Sequence, residues 1–178
     1  MFKILSNSKA YSWQVSESEK IRSFACDAYM SEPDDVLFRG IDINASPERV
    51  FPWLCQLRVA PYSYDWIDNK GKRSPRTLDP ELQKLSIGQK FIIFKLASFK
   101  KNEHITLITY TRKVENFFGK IAMTYLVQEI STGSSRLLVK MLVKRSGRKL
   151  LAALLPWGDW VMMRKQLLTL KELSETFV

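Results

Sequence analysis

From Gly88 onward the sequence changes its period. Four runs, KFIIFKL (90–96), EHITLITYTRKV (103–114), KIAMTYLVQEI (120–130) and SRLLVKMLVKR (135–145), are rich in β-branched and aromatic residues. Only LASFKKN, ENFFG and STGS separate them. Parallel neighbours need crossovers of about a dozen residues or more, so these runs predict an antiparallel meander. After Gly147 the period becomes helical to the end: Trp160, Met163, Leu167, Leu170 and Phe177 recur on one stripe, with Lys165, Lys171, Glu172 and Glu175 off it. A meander has an apolar face that must be buried, and the last helix is the only element long enough to cover it. The class that follows is α+β: a curved antiparallel sheet wrapped around a long C-terminal helix. One helix covers such a sheet incompletely, and the gap between them is where a ligand would sit.

Upstream, VLFRGIDINA (36–45) alternates as a strand, with Val36, Phe38 and Gly40 on one face and Leu37, Arg39, Ile41 and Ile43 on the other. ASPERVF then starts a helix by its chemistry: Ser46 caps it, Pro47 occupies the first turn and Glu48 faces the positive dipole end. Val50, Phe51, Leu54 and Leu57 form its apolar stripe, and Pro52 interrupts its hydrogen-bond ladder. A second short helix around Tyr62 and Trp66, and one helical turn after Pro80, complete the segment before the sheet. Residues 1–35 are polar and read as an N-terminal extension; 36–178 read as one domain.

The basic excess is lopsided. Residues 1–90 carry 13 Lys/Arg against 12 Asp/Glu, whereas 91–178 carry 15 against 6, thickest at KRSGRK (144–149). Two uses stand open: a solvated surface, or an anionic partner. Lys140 and Lys144 alternate with Val139, Met141 and Val143, which gives the last strand one dry and one wet face. Nucleic acid is disfavoured, because the basic residues do not line one helix and aromatics for base stacking are not evident. Trp157 and Trp160, next to KRSGRK and Arg164–Lys165, suit transient contact with an anionic membrane surface; the competing reading is a helix start with Asp159 at its positive end.

Other chemistry is excluded more simply. His104 is the sole histidine, and Cys26 and Cys55 lie too far apart for zinc-ligand spacing, so neither metal nor cofactor is expected. The chain lacks the glycine pattern of a dinucleotide or phosphate loop and the elbow of a serine hydrolase. MFKILSNSKAYSW does not read as a signal peptide, and LLAALLPW reads as too short to span a bilayer. With two thiols read as reduced, the expectation is a soluble cytoplasmic protein.

The segments ASPERVFPWLCQL, YSYDWIDN, ELQKLSIGQKF and LPWGDWVMMRKQLLTL, in this order, resemble bacterial members of the START-like superfamily, also called SRPBCC or the polyketide cyclase/dehydrase and lipid-transport group. The resemblance runs from about Ser12 to Ser174 and implies the helix-grip fold. It also implies a cavity for a hydrophobic small molecule or lipid between sheet and helix, and in a minority of members cyclisation or dehydration there. The group shares no universal catalytic motif, so the resemblance places no catalytic residue on this chain.

The densest candidate wall is WLCQLRVAPYSYDWIDN (53–69). Its tryptophans and tyrosines serve equally as core and as cavity wall. Arg58, Tyr62, Tyr64 and Asp65 are the polar groups that would orient a greasy ligand. The expected ligand-binding set is Arg58, Tyr62, Tyr64, Trp66, Phe94, Tyr110, Met123, Tyr125, Met141, Trp160, Met163 and Leu167, with Tyr64 and Asp65 as candidates for acid–base work. For KIAMTYLVQEI the inner face is undecided between Met123, Tyr125, Val127 and Thr124, Leu126, Gln128. The leading function is a carrier or binding protein, the alternative a cyclase or dehydratase; the oligomeric state is not legible.

Overall fold

The computed structural model describes residues 9–64 and 73–176. Seven strands form one curved sheet in the order β1-β2-β7-β6-β5-β4-β3. These are β1 (Ser12–Trp13), β2 (Asp35–Ile43), β3 (Lys90–Phe91), β4 (Phe94–Lys100), β5 (His104–Thr109), β6 (Lys120–Ser131) and β7 (Ser134–Lys144). Only β1 pairs in parallel, with β2; every other neighbour is antiparallel. The helices are α1 (Glu17–Lys20), α2 (Pro47–Cys55), α3 (Arg112–Phe118) and α4 (Lys149–Thr176). No helix among the described residues is long and apolar enough to cross a membrane.

Two boundaries differ from the sequence pattern. KFIIFKL is two strands, because the chain reverses at Ile92, whose φ of 52° lies in a region β-branched residues rarely adopt. LASFK accordingly continues β4 and is not a connection. RKVENFF is helix α3, not strand end and loop: Thr111 caps it by accepting from the Val114 N–H, and Gly119, at φ 89°, ends it. A β-carbon at Gly119 would collide with the Lys144 carbonyl, so both backbone and space demand glycine there.

The inner face of the sheet is settled by register. Met123, Tyr125 and Val127 of β6 point inward with Leu137, Val139, Met141 and Val143 of β7 and Leu37, Ile41 and Ile43 of β2. Against them pack α2, through Val50, Phe51, Trp53 and Leu54, and the second half of α4, through Leu167, Leu170 and Leu173. A turn of 3-10 helix over Gln56–Arg58 ends α2, and another over Pro80–Gln83 follows the predicted turn after Pro80.

The outer face is not wet. Phe24 and Cys26 lie on it with Phe38, Ala122, Leu138 and Leu142, forming a second, smaller core. Lys140, expected in solvent, keeps only 11% of its side chain exposed; it pairs with Asp27 at 2.6 Å and stands over the Phe24 and Phe38 rings. The segment read as an extension thus supplies an edge strand and the cover of the outer face. It also answers the charge asymmetry. Arg136, Lys140, Lys144 and Arg145 meet Glu19, Asp27, Asp34 and Asp35, so much of the excess in the second half is matched by acids of the first. Burial pushes the Glu19 carboxyl up, but hydrogen bonds from Arg136 and Ser16 outweigh this and hold it at about 2.

If the N-terminal cover is part of the folding unit, Phe24→Ala should cost about 3 kcal/mol, the usual loss for a buried phenylalanine. Urea unfolding reads this directly, and a loss below about 0.5 kcal/mol, typical of a surface substitution, would show that the segment merely rests on the sheet.

Candidate functional site

Helix α4 has two halves with different surroundings. Met163, Gln166, Leu167, Leu170, Leu173 and Ser174 are buried at helical spacing. Toward the start of the helix the same face carries Leu155, Asp159, Met162 and Met163, and here it looks into a cavity of about 670 Å³. The opposite wall is the sheet, with Phe91 and Phe94 from the β3–β4 hairpin, Leu107 of β5, Ile121, Met123 and Tyr125 of β6, and Met141 of β7. Leu57 and Pro61, after α2, close one end. Four large apolar lining residues, Ile92, Phe117, Phe118 and Leu154, are exposed and mark the mouth. Phe117 and Phe118 meet edge to face there, and the Arg148 guanidinium stands 5.6 Å from the Phe117 ring.

The lining is greasy except at one corner. Tyr125 donates its hydroxyl proton to Gln166 Oε1 at 2.7 Å, with Met163 Sδ 3.6 Å away, and Gln166 Nε2 donates to the Pro61 carbonyl at 2.6 Å. Sheet, helix and loop are therefore tied together inside the cavity wall. Beside them Asp159 accepts from Arg39 Nη2 at 2.6 Å. Arg39 is buried in the middle of β2, and its other hydrogen bonds go to the carbonyls of Phe38 and Ala10. Burial pushes the Asp159 carboxyl up, and the Arg39 charge opposes this without cancelling it. The Tyr125 phenol is likewise raised, chiefly by burial and then by the Asp159 charge. Asp159 does not sit at a helix start, as its sequence context suggested. α4 begins at Lys149, and the carboxylate lies well inside the helix, held by the strand.

Of the expected ligand-binding residues, Phe94, Met123, Tyr125, Met141 and Met163 line this cavity. Leu167 is one turn beyond it, in solid core. Tyr62 is buried edge to face against Trp53, accepts from Gln56 Nε2, and borders a smaller cavity of about 310 Å³ with Arg73, Arg76 and Lys165. Arg58 donates to the Leu82 carbonyl, Tyr110 is exposed, and Trp160 stacks edge to face on Trp157. Neither these three nor Tyr64 is among the described residues that line the main cavity. Asp65 and Trp66 lie outside the described residues. Sequence reasoning missed Asp159, Gln166 and the Phe117–Phe118 pair. The one signal for the aromatic pair was the cap-and-stop chemistry of Thr111 and Gly119.

Both cysteines are free and buried; burial raises the Cys26 thiol and pushes the Cys55 thiol up to about 12, which leaves both inert. Among the described residues no cluster of His, Cys, Asp and Glu would hold a metal ion.

No family model matches the chain, and no curated protein matches it. Solved structures do. A protein from Thermobifida fusca superimposes with a TM-score of 0.54 at 9% identity, over 78% of this chain and 92% of its own. A protein from Nitrosospira multiformis gives 0.52 at 10% identity, over 77% and 94%. The chain has the helix-grip fold. The di-domain ARO/CYC BexL from the BE-7585A biosynthetic pathway is similar at a TM-score of 0.48 and 12% identity, over 77% of this chain and 45% of BexL. The likenesses to the Thermobifida and Nitrosospira proteins show the fold alone and leave the ligand to be argued from the cavity itself.

The Arg39–Asp159 pair is open to test. Arg39→Met strands a buried carboxylate and should cost about 3 kcal/mol, whereas Arg39→Met with Asp159→Leu should return to within about 1 kcal/mol of the parent. Asp159 already has a folded pKa above its unfolded one, so its ionised form opposes folding above the unfolded pKa, and that opposition fades as pH falls. Removing Arg39 enlarges the shift; the deficit of the single variant should therefore shrink on acidifying from neutrality. Urea unfolding against pH checks both, and a deficit independent of pH would contradict the assignment.

Proposed function

We propose that the protein binds and carries a hydrophobic small molecule or lipid in the cavity between the sheet and the first half of α4. One observation supports this above the rest: an apolar hollow of about 670 Å³, well inside the range of ligand cavities, walled by Met123, Met141, Met162 and Met163 with aromatic residues. A hollow of this kind is costly to leave in a core, because its lining forgoes dispersion contacts that a packed interior would have. Methionines suit a wall that meets guests of varied shape. The exposed rim of Phe117, Phe118 and Leu154 gives an apolar guest a route in.

The competing reading, a cyclase or dehydratase, drew on Tyr64 and Asp65. Tyr64 is not among the described lining residues and Asp65 lies outside the described residues; the support for binding is the apolar lining itself.

Nile red, an uncharged dye that brightens in apolar surroundings, should bind the purified protein. Met123→Trp, which fills the hollow from the sheet side, should weaken that binding at least about tenfold with the unfolding midpoint unchanged or raised. Equal binding by the parent and the filled variant would place the dye elsewhere and remove the proposal.

A further inference from the structure

The polar corner of the cavity has a chemistry of its own. Resting on the carrier reading above, we infer that the ligand is an uncharged apolar molecule bearing a hydroxyl group, whose proton goes to the unpaired oxygen of Asp159. Asp159 Oδ2 is taken by Arg39, while Oδ1 has no hydrogen-bond partner among the described residues. Tyr125 has already given its one proton to Gln166, and the Gln166 amide gives one of its two N–H protons to the Pro61 carbonyl. From Asp159 and Tyr125 the hollow therefore meets lone pairs, and a guest seated against them must bring the donor.

Charge then narrows the guest. Arg39 and Asp159 are neutral as a pair, and no Lys, Arg or His is among the described residues that line the cavity. A carboxylate head would lie beside Asp159 with no cation facing it. An ammonium head would satisfy Oδ1 but leave a net positive charge beside Arg39 in an apolar wall. Either uncompensated charge is penalised heavily on burial, whereas a hydroxyl is neutral and leaves no group unpaired. Phenolic and aliphatic hydroxyls share this chemistry.

Four probes of matched chain separate the possibilities: lauryl alcohol, its methyl ether, laurate and laurylammonium, each titrated by displacement of Nile red. The parent should take the alcohol roughly ten- to a hundredfold more tightly than the ether, the measure of one hydrogen bond to a charged acceptor, and should also prefer it to both ions. In the Arg39→Met, Asp159→Leu double variant the alcohol should fall to the affinity of the ether, with the ether unchanged. Ether or laurate binding the parent as tightly as the alcohol overturns the head-group assignment and leaves the carrier reading standing. So does an alcohol preference that survives in the double variant. Binding of none of the four overturns the carrier reading and this inference together. The comparison of probes on the parent needs no variant to fold.

Discussion

Seven strands set side by side at about 4.8 Å make a sheet roughly 30 Å across, while a helix with its side chains is only about 10–12 Å thick. A single helix laid on such a sheet cannot cover it. Curling the strands narrows the mismatch, and α2 fills one side with Val50, Phe51, Trp53 and Leu54. On the other side, over β3 to β6, the edge is met by α3, the β3–β4 hairpin and the segment after α2 with Leu57 and Pro61. The shortfall becomes a hollow. Its position follows from the helix: the second half of α4 is driven into α2 and β2 by Leu167, Leu170 and Leu173, and the first half spans open space.

Arg39 and Asp159 are the unexpected part of that arrangement. A buried ion pair between a central strand and the spanning helix seldom adds stability over apolar side chains of the same volume. Its benefit is geometric: it fixes the helix against β2 where apolar packing thins out. The Tyr125–Gln166–Pro61 chain does the same from β6. Together they tie α4 to β2, to β6 and to the loop after α2 beside the cavity.

The fold was legible because strand and helix periodicity are local. The meander, the terminal helix, α2 with Pro47 in its first turn, and the glycine turn before Ser134 all follow from neighbouring residues. Two of the failures share one cause, partners distant in sequence. Lys140 reads as wet until Phe24 and Asp27, more than a hundred positions earlier, are laid over it. Asp159 reads as a helix-start acid until Arg39 is brought beside it. KFIIFKL reads as one strand because nothing in Ile92–Ile93 announces a reversal. In the site, the inward residues of the sheet and α4 (Phe94, Met123, Tyr125, Met141, Met163) were within reach of alternation. Within the aromatic stretch 53–69, Trp53 and Tyr62 pack edge to face on each other, Tyr64 is not among the described lining residues, and residues 65–69 lie outside the described ones.

All of this stands on a space beneath the first half of α4 that side chains leave unfilled. Crystals pressurised with xenon test it most directly, because the gas settles in apolar voids of a size that packed cores lack. Xenon density enclosed by Met123, Tyr125, Met141 and Met163 is the expected result. Density confined to the molecular surface, with those side chains in mutual contact, would contradict it.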